Sequence, residues 1–196
     1  MKWINRVKTG CLLTITALMS CYAQAGDDNC QIMSSARTID YGQFRKDDMR
    51  SGQTDYQGTH YQWLAADERE FTVAVTCENA QKIRIFVDGG AKQNKVFRFA
   101  TTGIMTLKAT DARLDNQAVQ LIAINRGAAT SGQSAAQEVT VPPGYGIAAM
   151  GGQELAGNKL VVTFHLTTYL SPQAFSARDK TSLEEILTLD YEAASS

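Results

Sequence analysis

Residues 69–77 have the sequence REFTVAVTC. Its apolar side chains, Phe71, Val73 and Val75, alternate with smaller or polar ones. Alternation with a period of two is typical of a β-strand that buries one face. The stretch ends at Cys77, a residue that can tie the strand to a distant part of the chain. We therefore predict a core strand that is anchored at its end.

The same alternation recurs along the chain and predicts an all-β protein. It is strong over residues 83–87 and 160–167. Between the strands lie Gly, Pro and Asn turn signals, and the small polar residues 127–137 predict a loop. No long amphipathic helix stands out, so we predict a sandwich of two sheets. Weaker alternation predicts further strands over residues 37–44, 95–100, 104–109, 118–124 and 138–141.

The first 25 residues have the composition of a secretory signal. They combine a basic start, an apolar run over residues 11–19 and small residues before a predicted cleavage after Ala25. Residues 26–196 are then predicted to form a single domain. An alternative is a lipoprotein anchored at Cys21, because Leu18-Met19-Ser20-Cys21 imitates a lipidation motif. No later run approaches the roughly 18 apolar residues of a membrane span, so we expect no transmembrane segment in the mature chain.

The charge balance argues against a nucleic-acid partner. The 196 residues include 19 Lys and Arg against 20 Asp and Glu, and three of the basic residues lie in the predicted signal. The remainder is therefore acidic, and its basic residues are not clustered. Binding to phosphates requires clustered Lys and Arg.

Two cysteines, Cys30 and Cys77, remain after the predicted signal is removed. In an oxidising compartment they are expected to form a disulfide. The alternative is a redox-active pair, which is typically held in a short Cys-x-x-Cys loop that this chain lacks. We therefore favour a structural bridge.

The residues that could carry chemistry do not form a recognisable active site. His60 and His165 lack the sequence context of a hydrolytic triad, and residues 67–70 (DERE) are interpreted as a solvated charge run. The cysteines are accounted for by the bridge, so no metal site is predicted. We expect no catalytic residue, no cofactor and no enzyme activity. A periplasmic enzyme that depends on His60 is the weakest alternative.

A group of aromatic residues is the best candidate for a ligand surface. Tyr56, Tyr61 and Trp63 lie close together in the chain. Aromatic rings can stack on sugar faces, but packing in a core is their commoner role. The chain could therefore be a stand-alone secreted sandwich that binds a ligand such as a carbohydrate.

Three features together resemble the subunits of chaperone-usher pili. Cys30 is followed by Ile39-Asp40-Tyr41-Gly42 and then by the strand that ends at Cys77. The next strand, over residues 82–87, ends in a tight Gly turn, and the chain closes on alternating Leu187, Leu189 and Tyr191. The resemblance extends over most of the mature chain.

This resemblance implies an immunoglobulin-like sandwich that lacks its last strand and contains one disulfide, between Cys30 and Cys77. Leu187, Leu189 and Tyr191 would contact the strand that a partner lends to complete the fold. The implied partners are a periplasmic pilus chaperone, an outer-membrane usher, other pilus subunits and a host glycan or protein receptor. The implied location is the periplasm and then the cell surface, as part of a fimbrium that contributes to adhesion.

One feature departs from the pattern of a repeating pilus subunit. Such a subunit needs an alternating apolar extension before its first cysteine, but cleavage after Ala25 leaves only residues 26–29 there, two of them acidic. A chain of this kind would accept a strand without donating one. We therefore expect a tip or minor subunit.

Overall fold

The computed structural model describes residues 29–41, 44–56, 59–92, 96–101, 103–175, 183 and 185–195, with backbone only over 53–56 and 59–62. The predicted signal and the lipidation alternative at Cys21 lie outside these residues. Short 3-10 turns occur at Lys46–Asp48 and Pro172–Phe175. The strands are β1 Cys30–Ser34, β2 Arg50–Tyr56, β3 Thr59–Ala65, β4 Arg69–Gly89, β5 Ala91–Lys92, β6 Val96–Phe99, β7 Gly103–Leu114, β8 Gln117–Ala118, β9 Gln120–Asn125, β10 Val139–Thr140, β11 Tyr145–Met150, β12 Gly157–Leu170 and β13 Leu187–Ser195.

Strand β4 is the axis of the fold because it belongs to two sheets. Its first half lies between β1 and β12, and all three strands are antiparallel neighbours. Its second half lies between β11 and β13, again with antiparallel pairing. We call these the first and second sheets. β7 and β6 continue the first sheet beyond β12, and β9 continues the second sheet beyond β11.

The two sheets pack face to face around one main hydrophobic core. Phe71, Val73 and Val75 enter it from the first half of β4, and Ile83 and Ile85 enter it from the second half. Four of these five side chains are fully buried, and Phe71 is nearly so. The apolar residues of the alternating pattern thus form the inward face of each sheet. The prediction of an all-β sandwich is confirmed.

The disulfide is formed between Cys30 and Cys77, which are paired neighbours in β1 and β4. It joins residues 47 apart in the chain and lies against the main core. Because β1 has only five residues, this covalent tie stabilises its position on β4.

One predicted strand was wrong, and one buried strand was not predicted. Residues 37–41 and 44 are irregular, although residues 37–44 were predicted as a strand. Ile39 and Phe44 pack on the core without joining a sheet, and the ring of Tyr41 stacks on Phe44. Conversely, β11 was not predicted. It is nearly all buried on both faces, so its sequence YGIAAM shows no alternation.

The loop predicted over residues 127–137 is present, and it lies over the outer face of the second sheet. Ala128 and Ala135 pack there on a small apolar cluster that includes Ile122 and Ile124. Among the residues that the structure describes, none belongs to a helix that is long and apolar enough to cross a membrane.

Candidate functional site: the open edge

The last strand, β13, is an edge strand. It pairs along its full length with the second half of β4, from Leu187 opposite Gly89 to Ser195 opposite Gln81. Within the described part of the chain, no strand pairs with its other side. A free strand edge presents unpaired backbone N–H and C=O groups that can bind another strand.

The inward side chains of β13 are apolar but only half-buried. Leu187, Leu189, Tyr191 and Ala193 pack on the main core, whereas Thr188 and Asp190 between them are exposed. The inward residues of other core strands, such as those of β12, are fully buried. The core is therefore incompletely covered along β13.

Strand β1 borders the same region from the first sheet. It pairs with β4 on the same edge as β13 but farther toward the beginning of β4, opposite Val73 to Cys77. Cys30 and Ile32 are half-buried and pack on the main core. We use the name open edge for the free side of β13 together with the half-buried apolar side chains of β13 and β1.

A hydrogen bond connects the two strands of the open edge. The hydroxyl of Tyr191 donates to the backbone carbonyl of Cys30 at 2.9 Å. The Tyr191 side chain therefore bridges from the second sheet to the disulfide of the first sheet. This contact closes one part of the open edge, and Leu187 and Leu189 lie on the part away from it.

Charged side chains hold β13 in place from the outer face of the second sheet. Arg126 bonds to Asp88 of β4 at 2.8 Å and to Asp190 of β13 at 2.9 Å. It also lies 3.5 Å from Glu192 and 4.1 Å above the ring of Phe86. The hydrogen bond to Asp88 is the main reason that the pKa of Arg126 is raised above its ordinary value. The strand is thus anchored although its other edge is free.

Large apolar side chains are also exposed at each end of this region. Ile186, immediately before β13, is 81% exposed, and Met33 on β1 is 57% exposed. Glu185 bonds to Arg98 of β6 at 3.4 Å, which fixes the backbone just before Ile186. Exposed apolar residues beside an incompletely covered core are typical of an interaction surface.

The three predicted contact residues, Leu187, Leu189 and Tyr191, thus lie together on β13. Their role in binding a partner strand remains a prediction. Sequence reasoning did not find Ala193 and Ile32, although both fit the alternation of their strands. It also did not find Arg126, because no local pattern relates this residue to β13.

The predicted aromatic ligand surface is described only in part. Tyr56 and Tyr61 lie on the paired strands β2 and β3, and their side chains are outside the described structure. Trp63 of β3 is half-buried and packs on Val96 and Ile104. The ammonium of Lys92 lies 5.0 Å from its ring. Trp63 therefore has a packing role.

The structure also brings together three residues that could ligate a metal, on the outer face of the first sheet. They are Glu68, Glu70 and His165. No metal site was predicted from the sequence, because the cysteines were assigned to the bridge. The histidine and the two carboxylates are 95 to 97 positions apart, and the register of β4 and β12 makes them neighbours.

Several solved structures match this chain. The crystal structure of the P pilus rod subunit PapA matches with a TM-score of 0.43 and 8% sequence identity, over 84% of this chain and 99% of that chain. No protein-family model matches the sequence. No curated protein sequence matches it either.

Proposed function

We propose that this chain is a structural, non-enzymatic subunit of a cell-surface fibre, and that a strand from a partner completes its second sheet. The observation that carries the proposal is the pairing of β13 on one side only, above half-buried apolar side chains. A partner strand could pair with the free backbone edge and cover these side chains in one step.

The chemistry of the open edge defines the partner strand. Leu187, Leu189 and Tyr191 project toward the core at every second position, so an added strand needs apolar residues with the same spacing. A periplasmic chaperone would supply such a strand before assembly, and a neighbouring subunit would supply it in the fibre. The usher would then act on the chaperone complex at the outer membrane.

The proposed position is the tip of the fibre, or a minor place in it. It rests on the predicted cleavage after Ala25, which leaves residues 26–29 before the first strand. Two of these four residues are acidic, so they match poorly with an apolar edge. Adhesion to a host receptor would be the role of a subunit at that position.

The direct test is production of the exported chain with and without its chaperone. We expect the chain alone to be scarce or aggregated, and a one-to-one complex to accumulate when the chaperone is present. Size-exclusion chromatography with light scattering measures both outcomes. A soluble monomer that unfolds cooperatively without a partner would contradict the proposal.

Amide hydrogen exchange locates the added strand. On formation of the complex, the amides of β13 should become protected, because their free edge gains hydrogen bonds. Strand β9 is the control. It pairs with β11 on one side, and its other edge is partly covered by the 127–137 loop, whose Ala136 pairs with Leu121. Protection of β9 without protection of β13 would place the partner elsewhere.

A further inference from the structure

A polar cluster of Glu68, Glu70 and His165 lies on the outer face of the first sheet, outside the open edge. His165 of β12 is the paired neighbour of Glu70 on β4 and of Lys108 on β7. Glu68 immediately precedes β4. The flanking Phe164 and Leu166 point into the core, which places His165 on the outer face. The cluster is therefore positioned by the register of three strands.

Two carboxylates converge on one nitrogen of the histidine. Nδ1 of His165 lies 3.0 Å from Oε1 of Glu68 and 3.3 Å from Oε1 of Glu70. The three donor atoms all lie within 4.8 Å of one another. Zinc bonds to nitrogen and carboxylate oxygen are about 2.0–2.2 Å long, so tetrahedral ligand atoms are about 3.3 Å apart. The distances from Nδ1 to the two carboxylates match this value.

The other ring nitrogen of His165, Nε2, lies within hydrogen-bonding distance of Thr110, which is itself bonded to Asp111. Oγ1 of Thr110 lies 2.9 Å from Nε2 of His165 and donates its hydrogen to Oδ2 of Asp111 at 3.1 Å. When the hydroxyl gives its one hydrogen to Asp111, its oxygen accepts from Nε2–H. A hydrogen bond of this kind at the second nitrogen is typical of metal-bound histidines.

This arrangement leaves Nδ1 facing negative charge. In a neutral ring that donates from Nε2, Nδ1 has a lone pair directed at two carboxylate oxygens. In this tautomer a cation bound between the three groups would relieve the repulsion, whereas the other neutral tautomer would donate from Nδ1 to a carboxylate. Glu68 is further oriented by a hydrogen bond from Thr167 at 3.4 Å.

We propose that Glu68, Glu70 and His165 bind a divalent transition-metal ion, of which Zn²⁺ is the representative. The imidazole nitrogen disfavours Ca²⁺ and Mg²⁺, which prefer oxygen ligands. Water would complete the coordination, since Glu68 and Glu70 are 46% and 63% exposed. The ammonium of the nearby Lys108 forms its ion pair with Glu138, at 2.8 Å. The ion would connect the beginning of β4 to β12.

The test is a calorimetric titration of the exported chain, without a histidine tag, with ZnCl₂ at neutral pH. We expect one ion per chain and no comparable binding of CaCl₂. His165→Ala should abolish binding, and Thr110→Val should weaken it by about tenfold because the ring loses its orienting partner. His60→Ala, which removes the other histidine of the sequence, is the control and should bind like the wild type.

The measured quantity, zinc binding, does not depend on whether the chain is a fibre subunit. If a chaperone is needed to keep the chain soluble, the complex is titrated, and subtraction of the His165→Ala complex removes any zinc that the chaperone binds. If His165→Ala does not fold by circular dichroism, the double variant Glu68→Gln and Glu70→Gln serves in its place. Unchanged zinc binding in either variant overturns the site.

Nuclear magnetic resonance of the ring distinguishes the metal from a proton. With zinc, Nδ1 of His165 should shift as a metal-bound nitrogen while Nε2 keeps its hydrogen. If zinc causes no such shift, the metal site is rejected, whether the ring is then doubly protonated or neutral with its hydrogen on Nδ1.

Discussion

The hydroxyl of Tyr191 bonds to the backbone carbonyl of Cys30, joining the last strand of the chain to the first across 161 positions. The bond also links the strand that would receive a partner to the disulfide that anchors β1. The geometry of the open edge should therefore depend on it.

Removal of this hydroxyl tests that dependence. Tyr191→Phe should lower the free energy of unfolding by about 1 kcal/mol, because one hydrogen bond is lost while the ring is kept. Urea denaturation measures the change. Tyr169→Phe is a suitable control, because the structure shows no hydrogen bond from the Tyr169 hydroxyl to a described residue, and it should change stability less. Equal effects of both variants would show that the bond to Cys30 contributes little.

The disulfide should provide a large part of the stability. It closes a loop of 47 residues, for which the chain-entropy relation gives about 4 kcal/mol. The double variant Cys30→Ser and Cys77→Ser should unfold at a correspondingly lower urea concentration. Reductant should destabilise the wild type and leave the double variant unchanged. A wild type that is insensitive to complete reduction would contradict this role.

The pair of Arg84 and Glu154 should make stability depend on pH. Two hydrogen bonds of 2.7 and 2.8 Å join them, and the Glu154 side chain is only 6% exposed. The hydrogen bonds from Arg84 are the main reason that the pKa of Glu154 is lowered below its ordinary value. The stabilisation is therefore complete above the ordinary carboxyl pKa and is lost as the pH falls through the lower, folded-state value.

Replacement of the carboxylate should remove this dependence. Glu154→Gln should cost about 3 kcal/mol at pH 7, because it leaves the Arg84 charge without its main partner. Urea denaturation of both proteins at neutral and acidic pH measures the difference, which should shrink on acidification. A difference that stays constant with pH would show that the effect does not come from the charge of Glu154.

Gly146 of β11 should not tolerate a side chain. A Cβ there would lie 2.6 Å from the backbone oxygen of Ile85 and 2.6 Å from Cδ1 of Phe86. Gly146→Ala should therefore cost about 2 kcal/mol through overpacking. Gly52→Ala is the control, since its Cβ would have no atom within 4 Å, and it should alter thermal stability little. Similar melting temperatures for the two variants would be inconsistent with this close packing.

Capture of a partner strand should depend on the inward face of β13. Leu189→Asp would place a charge among the half-buried apolar side chains and should reduce recovery of the chaperone complex at least about tenfold. Ala194→Asp adds the same charge on the exposed side, opposite Lys82, and should be recovered like the wild type. Co-purification from periplasmic extracts measures both. Equal loss in both variants would indicate that the inward face is not the contact.

The local pattern of the sequence determines the strands that have one buried face. Residues 71–77, 83–87 and 160–167 alternate clearly, and all lie in strands with the expected burial. The bridge between Cys30 and Cys77 was also predictable, since these two cysteines alone follow the predicted signal. Strand β11 was not predictable, because burial on both faces removes the alternation.

Pairing between distant strands is visible only in the three-dimensional structure. The sequence does not show that residues 69–89 form one continuous strand shared by two sheets, or that β13 lies at an edge. It also does not show that His165 lies beside Glu68 and Glu70, because this contact depends on the register of β12 against β4. Side-chain periodicity reports which face of a strand is buried, but it contains no information about which strand lies beside it.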